Sequence, residues 1–311
     1  MESSQHHRPV LLEEVIEMLN IRSDGIYIDG TFGRGGHAAA IMDRLGDQGR
    51  LFAIDKDPRA LDTAKMSYGD DPRFEIEQGS FAMLDSLSQR HHIKGKVDGI
   101  LLDLGVSSPQ LDDPKRGFSF RNDGPLDMRM DPDSGISAAD WIAKVSEQEL
   151  TRALRDYGEE RYAKRIARAI ITARDNAPIE TTAQLAAIVK EANPAWEKNK
   201  DPATRSFQGI RIFINRELDD LAEFLEQFLD VLAPGGRLAI ISFHSLEDRM
   251  VKRFLRKHAK GDDFPLDLPV TQEQLKPRLR EVGKAIKPGK AEIEENPRAR
   301  SAVLRVAEKL H

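Results

Sequence analysis

Four short apolar runs, separated by stretches of helical periodicity, crowd into the first third of the chain, and three of them end on aspartate. Gly25-Ile26-Tyr27-Ile28-Asp29 reads as a buried strand and Leu51-Phe52-Ala53-Ile54-Asp55 as a second. Phe74 to Glu77 reads as a short third strand, and Val97-Asp98-Gly99-Ile100-Leu101-Leu102-Asp103 as a fourth. Between them His37 to Leu45 has a helical pattern, and Asp57 followed by Pro58 is a helix start, because proline lacks only an N–H that the first turn leaves unused. Strand, helix, strand, helix at this spacing predicts parallel βαβ units in an α/β, Rossmann-like sheet.

After Asp103 the rhythm breaks. Residues 105–135, rich in Gly, Pro, Asp and Ser, read as an irregular loop, and Ala138 to about Lys190 as helices without intervening strands. The segment from Asn193 to Thr204 is polar and holds Pro194 and Pro202. A single long helix is then expected from Phe207, Ile210, Ile214, Leu218, Leu221, Leu225, Phe228 and Leu232, stopped by Pro234-Gly235-Gly236. Arg237 to Ser242 reads as a fifth strand and Ser301 to Glu308 as the last. The economical organisation is one α/β domain, residues 1–111 and 212–311, carrying an inserted helical domain, residues 112–211.

The chain contains no cysteine, which excludes disulfides, thiolate metal sites, iron–sulfur clusters and cysteine nucleophiles. The N-terminus lacks the order of a signal peptide, and no apolar run nears the roughly 20 residues that span a bilayer, so a cytoplasmic protein is expected with no membrane partner. The net charge is −5, but Arg249 to His311 holds 16 Lys+Arg against 9 Asp+Glu. A basic C-terminal region on an acidic body fits either a directed contact with a polyanion or a solvated face.

The strongest local motif, Asp29-Gly30-Thr31-Phe32-Gly33-Arg34-Gly35-Gly36-His37, lies where the first strand turns into a helix. Glycines there let the backbone turn and approach a ligand closely. Asp55 ends the second strand, where a carboxylate can accept from ribose hydroxyls. The loop lacks the G-x-G-x-x-G spacing that seats a pyrophosphate, and its leading acid would repel one. An acid instead attracts the ammonium group of S-adenosyl-L-methionine, which favours a methyl donor. Phe81 can pack on the adenine or in the core. At the end of the fourth strand, Asp103-Leu104-Gly105-Val106-Ser107-Ser108-Pro109-Gln110 should face the methyl group, although it departs from the D/N-P-P-aromatic tetrapeptide of many amino-methyltransferases. Methylation at pyrimidine carbon 5 needs a cysteine adduct, so transfer to nitrogen or oxygen is favoured. His6-His7 and His91-His92 read as surface pairs. His244 sits on the ligand-facing edge, with Ser245 and Asp248 as an S-x-x-D helix start.

Long strings spread along the chain resemble the bacterial 16S rRNA cytosine-N(4) methyltransferase family (RsmH, formerly MraW). They include His7-x-Pro9-Val10-Leu11-Leu12-x-Glu14, the glycine loop, the segment from Asp103 to Gln110, and Arg116-Gly117-Phe118-Ser119-Phe120. Gly124-Pro125-Leu126-Asp127-Met128-Arg129-Met130-Asp131, Tyr157-Gly158-Glu159-Glu160-Arg161 and Pro202-Ala203-Thr204-Arg205-x-Phe207-Gln208 follow. Ser242-Phe243-His244-Ser245-Leu246-Glu247-Asp248-Arg249 and Asn296-Pro297-Arg298-Ala299-Arg300-Ser301 complete the set. Asp201 departs from the histidine usual in the family. The resemblance implies a class I methyltransferase sheet with a helical insertion, and methylation of the exocyclic amino group of a P-site cytidine in 16S rRNA within the small ribosomal subunit. It implies donor contacts from Gly35, Gly36, His37, Asp55, Phe81, Asp103 and Gln110. Asp103 is also the candidate to accept the amine's N–H bonds. No metal is expected, and a homodimer is compatible with the sequence.

Overall fold

The computed structural model describes residues 8–195, 201–261 and 275–311, and the chain divides into two compact units, Met1–Gly105 with Asp219–His311 and Val106–Leu218. His6 and His7 lie outside the described residues. In the first unit, β1 (Ile26–Asp29), β2 (Arg50–Asp55), β3 (Phe74–Gln78), β4 (Val97–Asp103), β5 (Leu232–Ser242), β6 (Leu279–Glu281) and β7 (Val303–Lys309) form one sheet. The strand order is β3-β2-β1-β4-β5-β7-β6. The first five strands run parallel, while β7 is antiparallel to both β5 and β6. The chain moves outward from β1 to β3, then returns to lay β4 on the other side of β1. That reversal opens a crevice beyond the carboxyl ends of β1 and β4, where open α/β sheets bind ligands.

Helices α1 (Leu12–Leu19), α2 (Gly36–Met42), α3 (Pro58–Tyr68) and α4 (Leu84–Arg90) accompany the first strands. The second unit is built from α5 (Ser108–Asp112), α6 (Ala138–Lys144), α7 (Glu147–Asp156), α8 (Ala163–Asn176), α9 (Thr182–Ala192) and α10 (Thr204–Asn215). Among the described residues α11 (Glu217–Val231), α12 (Ser245–Lys260) and α13 (Lys290–Glu295) follow.

Alternating strand residues feed two separate cores. Tyr27, Leu51, Ala53, Leu101, Ala239 and Ile241 pack with Val15 and Leu19 of α1 and Ile41 of α2. Their neighbours Ile28, Phe52, Ile54, Ile100, Leu102 and Ile240 pack with Leu84 of α4, Phe224 and Phe228 of α11, and Val251 and Leu255 of α12. Burial on both faces explains why these strands read as continuous apolar runs.

The predicted single helix through Phe207 and Leu232 is two helices, broken at Arg216, which is left-handed at φ 54°. The Asn215 side chain donates to the carbonyls of Met128 (2.7 Å) and Arg211 (2.9 Å) and accepts from the Met130 N–H (2.7 Å). Arg211 spans the break with two 2.8 Å bonds to Glu217. β5 begins at Leu232, earlier than expected, so Pro234-Gly235-Gly236 lies inside the strand. The pairing register with β4 jumps there from Val97–Leu232 to Gly99–Arg237, and the surplus residues form an irregularity in which Gly235 takes φ +81°.

In the second unit Leu150, Leu154, Ile166, Ile170, Leu185, Val189 and Phe207 form the core. Ser146/Glu149 and Thr181/Gln184 capping boxes start α7 and α9. The irregular segment after Val106 is pinned from inside. Buried Arg116 donates to the carbonyls of Arg129 (3.0 Å) and Met130 (2.8 Å). Asp201, the departure from the family pattern, accepts from the Ala203 N–H (2.9 Å) ahead of α10 and pairs with Lys190 (2.8 Å).

Candidate active site

Three aspartates end three adjacent parallel strands: Asp55 on β2, Asp29 on β1 and Asp103 on β4. The loop after β1 is held against all three. Asp29 Oδ1 accepts from the Thr31 N–H (3.0 Å), and Thr31 Oγ1 accepts from the Asp103 N–H (2.6 Å). Asp55 Oδ2 accepts from Gly33 N–H (2.7 Å), and its Oδ1 accepts from Asp57 N–H (2.8 Å). A carboxylate offers about four lone-pair positions, so Asp55 retains acceptor capacity for hydroxyl groups.

Two glycines in the loop are required by close approach. Gly35, at φ +74°, sits left-handed as the N-cap of α2. A Cβ on Gly36 would lie 2.3 Å from Pro9 Cγ, so the segment before α1 closes over the start of α2. The next residue, His37, is buried, and its Nε2 lies 3.1 Å from the Val10 carbonyl. A carbonyl only accepts, so Nε2 carries the hydrogen and Nδ1 is bare. Burial depresses the His37 pKa to about 4, and the ring is neutral at pH 7. Its 3.7 Å approach to Asp103 Oδ2 is therefore not an ion pair.

Two carboxylate oxygens here, Asp29 Oδ2 and Asp103 Oδ1, are buried without a hydrogen-bond partner. Burial lifts Asp103 to about 8, and the nearby charges of Asp29 and Glu247 push the same way. Asp29, itself 1% exposed, is lifted by burial to about 7 against the bond from the Thr31 N–H, with the Asp55 charge adding to the rise. Burial raises Asp55 to about 6, resisted by the N–H groups of Asp57 and Gly33. Orphaned oxygens of this kind stabilise a cation or an N–H donor brought between them.

Phe81 opens a short 3-10 helix, half-buried, with its ring edge-on to Phe224 at 5.9 Å. Its Cβ would be 3.1 Å from a Cβ on Gly30, which places it beside the loop as well as at the rim of the core. Gly35, Gly36, His37, Asp55, Phe81 and Asp103 thus converge in the first unit. Gln110 belongs to the second unit, where its Oε1 accepts from the Ser107 N–H (2.9 Å) in a capping box.

The helix after β5 is capped one residue early, by His244 rather than Ser245: His244 Nδ1 accepts from Glu247 N–H (3.4 Å), and Glu247 Oε2 accepts from Phe243 N–H (2.8 Å). Asp248 instead binds Arg305 Nε at 2.7 Å. His91 is not a surface residue, since it packs on Phe52 (4.6 Å between centroids) and bonds Glu77 at 2.8 Å. Thr31, Pro9, Val10 and Glu247 shape the site through contacts that only the fold reveals.

The profile of the MraW methylase family matches residues 4–310. Ribosomal RNA small subunit methyltransferase H of Thioalkalivibrio sulfidiphilus is 60% identical over 305 residues, covering 98% of this chain and 97% of that protein. The protein of the same name from Legionella pneumophila strain Paris is 59% identical over 304 residues, covering 98% and 99%.

Proposed function

The chain belongs to the MraW methylase family, and from that premise we propose that it methylates the exocyclic N4 amino group of a P-site cytidine in 16S rRNA. The chain is an S-adenosylmethionine-dependent methyltransferase of small-subunit rRNA. One observation carries the site assignment: Asp29 and Asp103 end the strands on either side of the sheet's switch point, each with a buried oxygen that lacks a donor. A cationic, nucleoside-bearing ligand fits this donor set. The Asp29 carboxylate attracts an ammonium group, Asp55 accepts from ribose hydroxyls, and Phe81 offers a flat apolar surface to a purine. S-adenosylmethionine supplies a methyl group already activated on a sulfonium.

What the protein must add is position and a reactive amine. The cytosine amino lone pair is delocalised into its ring. Asp103, accepting an amine N–H, favours a pyramidal nitrogen and takes up the proton that leaves as the N–C bond forms. In its ionised form, which gains as pH rises toward 8, this carboxyl is basic enough to do so. The absence of cysteine is consistent with nitrogen as the target, because a carbon-5 route needs a thiolate adduct. We assign substrate recognition to the second unit. Among the described residues no helix is long and apolar enough to cross a membrane.

A single cytidine in folded rRNA must be reached unstacked. Labelled methyl transfer is expected on assembled or nearly assembled small subunits and scarcely on naked 16S rRNA. Equal rates on both would overturn this substrate form.

A further inference from the structure

We propose that the exposed face of α12 is a phosphate-binding track for single-stranded RNA leading to the reaction centre. This inference rests on the RNA-methylation reading for its choice of polyanion. α12 is amphipathic in an unusual way. Val251 and Leu255 face the core with Met250 and Phe254 against them, while Arg249, Lys252, Arg253, Arg256, Lys257 and Lys260 recur at spacings of three and four along the rest of the helix. The two acids of this helix do not interrupt that face. Glu247 is turned inward at 2% exposure, and Asp248 is engaged by Arg305.

Other cations of the same unit are paired: Arg237 and Arg280 with Glu308, and Arg305 with Asp248. Lys252, Arg253, Arg256 and Lys257 form no ion pair among the described residues, and the last three are exposed. Complementing the helix dipole accounts for basic residues in the last turn, Lys257 and Lys260, but not for Lys252 and Arg253 in the middle. Four neighbouring cations with no ion pair among the described residues are complementary to a polyanion, and phosphate contacts position a strand without reading its sequence.

Placement supplies the second argument. α12 begins directly after β5, whose Ile241 is paired with Asp103. Its first turn therefore starts at the carboxyl edge that carries the candidate site. Its 16 residues carry the charges about 24 Å away from that edge. An RNA strand on this face is guided toward Asp103.

The test uses the full chain and fluorescein-labelled oligouridylate, a probe with little to recognise beyond its backbone, with anisotropy followed across a salt series. The triple variant Arg253→Gln, Arg256→Gln, Lys257→Gln should lower the slope of log affinity against log salt by about 2 and weaken binding about 50-fold at 0.15 M salt, at roughly 0.7 per phosphate contact. Its melting temperature and S-adenosylmethionine affinity should match the parent. A control with the same change in net charge, Arg44→Gln, Lys65→Gln, Lys96→Gln, should keep the parental slope. A parental slope in the α12 variant, or an equal loss in the control, would overturn the proposal. Neither readout depends on methylation, so failure of the α12 track and failure of the rRNA-methylation reading are told apart.

Discussion

Replacing Asp103 by alanine is expected to lower kcat/KM by about 10²- to 10⁴-fold, the range over which a positioned acid–base group acts, while leaving a protein that folds and melts higher than its parent. The two effects have one cause. The Asp103 carboxylate has a buried oxygen without a donor and is lifted to about 8 by burial and by Asp29 and Glu247, so the folded state holds a proton that the unfolded chain releases near pH 4. A carboxyl raised in the native state contributes stability that is intact below about pH 4 and is lost as pH rises to about 8. Removing it should therefore open a stability gap over the parent that widens across that window. The loss of activity should fall on kcat at saturating donor, because the group acts on the amine. Asp103→Asn, which keeps a carbonyl acceptor but not the basicity, should share the kcat defect. A folded alanine variant with parental kcat would remove Asp103 from the chemistry, and one that melts lower at pH 8 would mean its oxygen is satisfied.

Asp55→Ala should weaken S-adenosylmethionine binding by about 1.5–3 kcal/mol, the usual loss when hydrogen bonds to a charged group disappear, or roughly 10- to 150-fold in Kd. Part of that loss is indirect, because Asp55 also holds the Gly33 and Asp57 N–H groups. Asp55→Asn retains one acceptor oxygen and should fall between parent and alanine. Calorimetric titration with S-adenosylmethionine separates the three. Parental affinity in a folded Asp55→Ala protein would show that the carboxylate does not receive the ribose.

The strands and the glycine loop were legible in the sequence because their signals are local. Apolar runs ending in Asp29, Asp55 and Asp103 announce buried parallel strands, and glycines at a strand-to-helix turn announce close backbone approach. What was not legible depends on partners remote in sequence. The apolar period runs unbroken through Arg216, since α10 and α11 both bury their apolar positions, and the break is made by Asn215 reaching the Met128 carbonyl. β6 is three residues long with only Leu279 buried, too short to show a period. His244 caps α12 through an imidazole nitrogen, whereas the usual N-cap preference points to Ser, Thr, Asp or Asn. Pro9 over Gly36 and Val10 on His37 join segments that no spacing rule connects. The raised carboxyls follow from burial, which the strand pattern suggests but does not measure.

The proposed reaction is methyl transfer to the N4 amine of one cytidine in the decoding region. It is tested most directly by mass mapping of nuclease fragments of 16S rRNA from cells with and without this gene, and from the deletion complemented by the parent or by Asp103→Ala. One P-site fragment should be heavier by a single methyl group on the cytosine base, lost on deletion, restored by the parent and not by the Asp103 variant. A fragment pattern unchanged by deletion, or a gene-dependent methyl group located on carbon 5 or on the ribose, would contradict it.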